Sequence, residues 1–329
     1  MRQVAERAGV ALATVSRAFS APTKLSPATL RRIEQASEDL DYTVNLNARA
    51  LRGQGSGVIL VLLPDIGNPF FSLLLKGIEE GAREAGQAVL IGDTAGEPAL
   101  RERSALQVQA RAADALILLD GQVPFAAGSR GRARLLRAPV VAVSERVRDE
   151  VVPYVGIDNV AAARDVATLL ADAGHQHVAH IGGPDGSSLS AERAEGFRAG
   201  AAARGLSILG TVVGRFTTES GRKAAEAILS WPQRPTAVFA ASDEMAMGFI
   251  AAAQARGVSV PDEIAVVGFD DIAFSELFAP ALTTVRQPRH AMGRAAADLV
   301  VRWRAGSRRS VILPHEVVMR DSFGPPRRR

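Results

Sequence analysis

Side chains suited to reading DNA lie close together near the start of the chain. Arg17 can donate two parallel hydrogen bonds to a guanine, and Leu12 and Ala13 can contact a thymine methyl group. Thr14 and Ser16 offer hydroxyl groups that suit phosphate oxygens. We expect Leu12, Ala13 and Arg17 to face outward from one short helix. This set of side chains predicts contacts in the major groove of duplex DNA.

These side chains must be held in place by a folded domain, and the spacing of the surrounding residues predicts a bundle of helices. The segment 4–18 reads as two helices joined by a tight turn, in which Gly9 supplies the positive φ. Ser26 suits the N-cap of a third helix, and Pro27 suits its first position. The core of this module is expected to contain Val4, Ala8, Val10, Val15, Ala18, Leu30, Ile33, Ala36 and Leu40. A small helical bundle without DNA contacts is the alternative interpretation.

Polar side chains also follow several predicted strands further along the chain. Asp93, Ser242 and Asp270 each come after an apolar run that reads as a buried strand. Open parallel sheets bind their ligands beyond the carboxyl ends of the strands. Carboxylates and hydroxyls there would suit a ligand rich in hydroxyl groups. For Asp270 the alternative is that it only caps a loop or a helix.

The strands that position these residues alternate with helices from residue 58 to about residue 320. This alternation predicts an α/β fold with parallel sheets. The first strand is the apolar run 58–63, and a helix from about Pro69 to Ala85 follows it. Similar helix ends at 81–86 and 200–205 indicate two related lobes with a ligand cleft between them. Further strands are expected at 88–92, 115–119, 140–143, 154–157, 178–182, 211–214, 237–240 and 264–268.

The composition fits an ordinary globular protein, since 47% of the 329 residues are hydrophobic. The net charge is only +4, but residues 1–57 hold eight basic against five acidic side chains, which mildly favours phosphate contact. The absence of cysteine excludes disulfides and thiolate chemistry. Neither a secretory signal nor an apolar run of about 18 residues is present, so we expect a cytoplasmic protein without a membrane partner.

Catalysis and metal binding are not expected. His175, His177 and His180 are closely spaced, but they fall at a helix end and in a strand, so their rings should not converge on a metal. Strand-to-helix nucleophile elbows, phosphate-binding Walker loops and zinc-protease motifs do not occur in the sequence. The sequence therefore predicts a protein that is not an enzyme and needs no cofactor.

Motifs along nearly the whole chain resemble those of the LacI/GalR family of bacterial repressors. They are VAERAGV at 4–10, ATVSR at 13–17, SPATL at 26–30, NLNARAL at 45–51, PDIGNPFF at 64–71, GH at 174–175, HIGGP at 180–184, ASDEM at 241–245 and VGFDD at 267–271. The resemblance implies a three-helix helix-turn-helix DNA-binding domain. It also implies a two-lobed effector domain of the type I periplasmic-binding-protein kind, with parallel sheets.

The resemblance further implies a hinge between the two domains. Residues 45–52 would become helical only on operator DNA, with Asn45, Ala48 and Leu51 at the minor groove and Leu51 wedged between base steps. An ordinary linker is the alternative. The expected organisation is a DNA-binding domain at 1–44, a hinge helix and linker at 45–57, a two-lobed effector-binding and dimerisation domain at 58–320, and a basic tail at 321–329.

An effector site in the cleft is also implied by the resemblance. Arg193 matches the family's effector-binding arginine, and Phe216 stands where relatives place an aromatic ring against the ligand. A surface ion pair with Glu192 or Glu195 is the alternative for Arg193. For Phe70 and Phe71 the alternative is a pair buried in the core. The complete set of expected effector residues is Asp65, Phe70, Phe71, Asp93, Arg193, Phe216, Ser242 and Asp270.

The combined prediction is a transcriptional repressor whose affinity for operator DNA is controlled by a small effector, a sugar or a nucleobase-like compound. We expect a homodimer, with a tetramer also open, because one helix-turn-helix reads only one half-site. A solute-binding protein without a DNA role and a sugar-processing enzyme are the rival interpretations.

Overall fold

The computed structural model describes residues 1–20, 24–42, 55–303 and 309–326. The chain forms two compact units, Met1–Ser56 and Gly57–Arg329. The predicted hinge residues Asn45, Ala48 and Leu51 lie outside the described residues, as does the end of the predicted basic tail at 327–329.

The first unit contains three helices, α1 (Arg2–Ala8), α2 (Leu12–Ser20) and α3 (Pro27–Asp39). Gly9 ends α1 with a φ of 60°, and Ser26 Oγ accepts a hydrogen bond from the N–H of Thr29, as predicted. Val10 and Leu30 are only partly buried. Leu40 is 40% exposed because it lies past the end of α3, so its assignment to the core was wrong. The core consists of Val4, Ala5, Ala8, Val15, Ala18, Ile33 and Ala36.

The second unit is built around two parallel sheets, which confirms the predicted α/β class. The six-stranded sheet has the order β11-β5-β4-β3-β1-β2, and with its helices we call it the first lobe. Its strands are β1 (Val58–Leu63), β2 (Ala88–Asp93), β3 (Ala115–Leu118), β4 (Val140–Val143), β5 (Tyr154–Gly156) and β11 (Val311–Ile312). Its helices are α4 (Phe70–Glu84), α5 (Pro98–Gln109), α6 (Arg130–Leu135) and α11 (Arg289–Val301).

The four-stranded sheet has the order β7-β6-β8-β9, and with its helices we call it the second lobe. Its strands are β6 (His177–Gly182), β7 (Ser207–Val213), β8 (Ala237–Ala240) and β9 (Ala265–Val267). Its helices are α7 (Asn159–Asp172), α8 (Ser188–Arg204), α9 (Thr218–Leu229) and α10 (Asp243–Gln254). A separate antiparallel pair joins β10 (Thr284–Arg286) to β12 (Glu316–Val318).

The predicted strands agree with these bounds within about two residues, with one exception. β7 begins at Ser207 and not at residue 211. It is an edge strand whose residues are exposed or half-buried, so its beginning lacks the continuous apolar run that marks a strand buried on both faces. β1, β3 and β8 are buried along nearly their whole length and were correspondingly easy to recognise.

Two features of the second unit bear on its function. The chain passes between the lobes three times: after β5, between β10 and α11, and between β11 and β12. Glycines let helices within each lobe approach closely, since a Cβ on Gly77 would lie 2.1 Å from the carbonyl oxygen of His290 and one on Gly196 would lie 2.1 Å from that of Val160. Each lobe is therefore tightly packed in itself.

Over the described ranges, no helix has the length and apolar character needed to cross a membrane.

Candidate functional site

The outward face of α2 carries the side chains predicted to contact DNA. Leu12, Ala13 and Arg17 are exposed, with Leu12 at 47%, while Thr14 and Ser16 lie half-buried beside them. Val15 and Ala18 are buried on the opposite face and hold α2 against the other two helices. An α-helix fits the major groove, so this face can present an arginine and small apolar groups to base edges.

The turn before α2 is braced by Arg32 of α3, a residue that sequence analysis did not single out. Its Nη2 donates to the carbonyl oxygen of Ala8 at 2.6 Å and to that of Gly9 at 3.3 Å. These carbonyls belong to the end of α1, where a cation is favourable. A Cβ on Gly9 would lie 2.9 Å from Nη2, which a small shift of the arginine side chain could relieve, so the positive φ is what requires glycine here. An arginine on an exposed helix gives no sequence signal for this contact.

The carboxyl ends of strands from both lobes line one cavity of about 580 Å³, a size typical of small-molecule sites. The first lobe contributes residues that follow β1, β2, β3 and β4, and the second lobe contributes residues that follow β6, β7 and β9. Six of the predicted effector residues line this cavity: Asp65, Phe70, Phe71, Arg193, Phe216 and Asp270.

Arg193 is the most deeply buried charged group of the cavity, at 1% exposed. Its Nε donates to Asn159 Oδ1 at 3.1 Å, and its Nη1 donates to the carbonyl oxygen of Ala241. The guanidinium lies 3.6 Å from the ring centre of Phe269, and Nη2 is 3.4 Å from Asp270 Oδ1. Beyond this ion pair, Nη2 makes no hydrogen bond. The alternative of a surface ion pair for Arg193 is therefore wrong.

Asp270 is the counter-ion of Arg193 in this buried setting. Its Oδ1 accepts a hydrogen bond from Gln287 Nε2 at 2.7 Å. Burial raises the pKa of Asp270 to about 6, although Arg193 and Arg289 act in the opposite direction. The next residue, Asp271, instead forms an ion pair with Arg320 at 2.8 Å. Asp270 and Arg193 together offer an acceptor and a donor side by side, which suits neighbouring hydroxyls of a ligand.

Aromatic rings form apolar parts of the cavity wall. Phe70 and Phe71 are buried and meet edge to face, with ring centres 5.2 Å apart. They therefore belong to the core and also line the cavity. Phe216 is half-buried and has a φ of 59°, unusual for a residue with a side chain. A Cβ on Gly183 would lie 2.1 Å from Phe216 Cζ, so the glycine makes room for this ring.

Two predicted effector residues, Asp93 and Ser242, are not among the residues that line the cavity. Asp93 accepts hydrogen bonds from the N–H groups of Ile66 at 3.2 Å and Ala95 at 2.9 Å, so it fastens two loops near the cavity. Ser242 caps α10, since its Oγ accepts from the N–H of Met245 at 3.3 Å. Both side chains are occupied by neighbouring backbone, as short polar residues at turns often are.

Two carboxyl groups that were not predicted from the sequence also line the cavity, Asp120 after β3 and Glu145 after β4. Asp120 Oδ2 accepts from Arg101 Nε at 3.0 Å and Nη2 at 2.8 Å. Glu145 Oε1 accepts from the N–H of Ser188 at 2.9 Å and so bridges the two lobes. Burial raises the pKa of Glu145, and the charge of Asp120 acts in the same direction. Both follow apolar strands, so the rule that selected Asp93 would also have selected them.

The three clustered histidines have separate surroundings. His175 lies within 2.9 Å of Thr236 Oγ1 and 3.0 Å of the carbonyl oxygen of Gly324. His180 is buried and stacks on Phe239, with ring centres 5.2 Å apart. In the part of the chain that the structure describes, no three potential ligand side chains are grouped as a metal site requires.

The buried His180 makes a measurable prediction about acid stability. Burial lowers its pKa to about 4, so the folded ring stays neutral while the ring of an unfolded chain is protonated below about pH 6.5. Above pH 6.5 the ring is neutral in both states and does not reduce the free energy of unfolding. As pH falls from 6.5 towards 4, protonation of the unfolded chain lowers the free energy of unfolding by about 3 kcal/mol. We expect His180→Phe to remove most of this loss, measured as the difference in unfolding free energy between pH 7.5 and pH 4.5. An identical acid loss in wild type and variant would contradict this.

A second concave surface of the unit is an apolar groove of about 560 Å³, lined in part by Met247, Ile272, Phe274, Leu277 and Phe278. Leu277 is 78% exposed and Phe274 is 58% exposed. Large apolar side chains that are grouped and this exposed usually mark an interaction site.

Comparison with known proteins places both units in one family. Residues 1–45 match the model for bacterial regulatory proteins of the lacI family, and residues 167–323 match that for a periplasmic binding protein-like domain. The chain is 36% identical over 303 residues to the HTH-type transcriptional repressor CytR of Escherichia coli strain K12, which covers 92% of this chain and 88% of the repressor.

Two solved structures extend the similarity to three dimensions. The lac repressor dimer bound to operator and the anti-inducer ONPF has a TM-score of 0.83 at 25% identity and covers 97% of each chain. The complex of the transcriptional regulator CelR with cellobiose has a TM-score of 0.73 at 27% identity and covers 98% of this chain and 99% of that one.

Proposed function

Because the chain belongs to the lacI family of bacterial regulatory proteins, we propose that α2 reads the major groove of an operator and that the cavity between the lobes holds the effector. The protein is a DNA-binding transcriptional repressor whose operator affinity responds to a small molecule. The observation that carries the proposal is that one chain combines an exposed arginine-bearing helix face with a separate small-molecule cavity. Asn45, Ala48 and Leu51 are proposed to contact the minor groove as a hinge.

The effector is proposed to be a sugar or a nucleoside-like compound with a ring. Arg193 Nη2 and Asp270 would bind adjacent hydroxyls, and Phe216 would pack against the ring. The cellobiose bound by the related regulator is a ligand of this kind. We propose that the cavity binds its ligand without transforming it. Closure of the lobes around the ligand would then alter how the dimer presents its DNA-binding units.

The test of this function is a gel shift with the full-length protein and the promoter region upstream of its own gene. We expect a discrete band that resists a large excess of random competitor DNA and that changes when the effector is added. A solute-binding protein without a DNA role, or an enzyme acting on sugars, would give no such band. The proposal places this activity in the cytoplasm, the compartment that contains bacterial operator DNA.

The repressor acts as a homodimer, and we propose that the apolar groove around Leu277 packs against a second copy of the chain. A two-fold operator requires two DNA-binding units, and a two-fold dimer uses the same patch of both subunits. The groove provides the exposed apolar area that such an interface needs. Leu277 and Phe274 project from the segment between β9 and β10, which also carries Asp270 of the cavity.

Leu277→Glu is expected to convert the dimer into monomers at micromolar concentration. Each dimer would lose two buried leucines, at about 1.5–3 kcal/mol each, and would have to bury two charges instead. A dissociation constant raised at least 100-fold is expected, measured by light scattering over a dilution series. Val151→Glu is the control, because Val151 is 69% exposed but does not line the groove. Dimers that are equally stable in both variants would place the interface elsewhere.

A further inference from the structure

The sheet of the first lobe carries charges of opposite sign at its two ends. Acidic residues stand at the carboxyl ends of its strands, namely Asp65, Asp93, Asp120 and Glu145. Arginines stand at the other end, in the turns that lead into the strands. They are Arg111 before β3, Arg137 before β4 and Arg309 before β11. We call this end of the sheet, with its turns, the amino-terminal edge of the first lobe.

The positive charge of these three arginines is not neutralised within the chain. All three are exposed, and none forms an ion pair or a side-chain hydrogen bond with a residue that the structure describes. Acids at the same edge already have partners: Glu84 pairs with Arg294 at 2.7 Å, and Asp114 accepts from the N–H of Gly57 at 2.7 Å. Arginines left without acids raise the positive potential of this surface.

Helix capping does not account for these arginines. A cation near the end of a helix is favourable, and Arg134 fills that role by donating to the carbonyl oxygen of Gln109, the last residue of α5, at 3.1 Å. Arg111 and Arg137 follow α5 and α6 without bonding to either helix. Arg111 also has a φ of 60°, a conformation that glycine adopts with less strain. Folding stability therefore gives no reason for an arginine at this position.

The chain from the DNA-binding unit enters the second unit at this same edge. Gly57 is the first residue of the second unit and directly precedes β1. The residues from Tyr42 to Gly57 can span at most about 50 Å even when fully extended. Because the carboxyl ends of both sheets border the cavity, the amino-terminal edges of the two lobes lie at opposite ends of the unit. A duplex held by the DNA-binding unit is thus tethered to the edge that carries the arginines.

We propose that the amino-terminal edge of the first lobe contacts the phosphate backbone of the operator through Arg111, Arg137 and Arg309. This rests on the proposed function and adds a second DNA-contacting surface to that of α2. Duplex DNA carries about one negative charge per 1.7 Å of its axis, and each arginine at a phosphate releases condensed counterions. Phosphate contacts do not read bases, so this edge adds affinity without sequence preference.

Two full-length variants with equal net charge test the position of the contact. The edge variant combines Arg111→Gln, Arg137→Gln and Arg309→Gln. The control variant neutralises three exposed arginines of the second lobe that form no ion pair with described residues, by Arg164→Gln, Arg198→Gln and Arg234→Gln. Thermal unfolding verifies that both variants fold. Since both lose the same charge, any difference in DNA binding between them depends on where the charge lay.

The measurement is the affinity for operator and for random DNA over a series of salt concentrations. We expect the edge variant to bind both DNAs about tenfold or more weakly than wild type at about 50 mM salt, with the operator preference kept. The slope of log affinity against log salt should become shallower by about two or more per dimer. The control variant should keep the wild-type slope. Equal slopes in the edge and control variants would overturn the inference.

A cleavage experiment tests the contact itself. Because the chain contains no cysteine, Arg137→Cys creates a single attachment site for an iron chelate that cuts nearby DNA. We expect strand cuts in the bound operator from this label. The same chelate on Arg234→Cys, at the amino-terminal edge of the second lobe before β8, should give none above background. Cuts that are absent from both proteins, or equally strong in both, would contradict the proposed contact.

Operator binding by the wild type distinguishes this inference from the proposed function. If wild type gives the competitor-resistant band while the edge and control variants behave alike, the inference fails and the regulator function stands. If wild type prefers no DNA sequence, the proposed function fails, and the comparison of the two variants on random DNA still decides the inference.

Discussion

Replacement of Arg17 with alanine is expected to abolish sequence-specific operator binding while the fold and the effector affinity remain intact. Arg17 lies on the exposed face of α2, where it can donate two hydrogen bonds to a guanine. One such pair contributes about 1–3 kcal/mol, and a dimer loses two of them, so specific affinity should fall by roughly 30-fold to 20,000-fold. The measurement is a titration of labelled operator at fixed salt concentration.

Arg31→Ala is the matched control for this prediction. Arg31 is an exposed arginine of α3 in the same unit, so its removal subtracts the same charge without touching α2. It should weaken specific and random DNA binding alike, and by a few-fold at most, as loss of a phosphate contact does. If Arg17→Ala retained the operator preference, the assignment of α2 as the recognition helix would be wrong.

The second large effect is expected at Arg193, whose replacement should leave operator binding in place and remove the response to effector. Arg193→Ala would leave Asp270 buried without its counter-ion, at a cost of about 3–5 kcal/mol to folding. Arg193→Lys is therefore the better variant, because it keeps the charge but loses the paired donors of the guanidinium. We expect effector affinity to fall at least 100-fold by calorimetry.

A double variant guards against misfolding as the explanation. Arg193→Met combined with Asp270→Asn removes both members of this ion pair, so neither is left buried without the other. It should still fold, bind operator and ignore effector, and thermal unfolding would verify the fold. Unchanged effector affinity in Arg193→Lys and in the double variant would exclude Arg193 from the binding site.

Most of the fold could be predicted from the sequence because the features that determine its helices and strands lie within short segments. Buried strands such as β1 and β8 are continuous apolar runs, and the turn glycine Gly9 and the cap Ser26 act on their immediate neighbours. The family motifs then predicted effector residues that no local pattern can identify, Arg193 and Phe216 among them. The structure brings both of these to the wall of the cavity.

What the sequence did not predict depends on distant partners. Arg32 contacts the end of α1 only once α3 has folded against it, and Arg101 meets Asp120 across the interior of the first lobe. Leu40 sits just past the last turn of its helix, where an apolar residue continues the helical pattern but not the helix. Asp93 and Ser242 follow strands as predicted, but both bond to backbone N–H groups and neither lines the cavity.

The threefold passage of the chain between the lobes limits what an effector has to accomplish. Because three peptide segments connect the lobes, the lobes can change their relative orientation but cannot separate. Ligand binding therefore does not have to bring them together from solution. A few contacts then suffice to favour one orientation of the lobes over another. Only the difference in ligand affinity between the two orientations shifts the equilibrium between them. New ligand preferences can therefore arise from substitutions of single side chains at the strand ends, while the two lobes and their connecting segments stay unchanged.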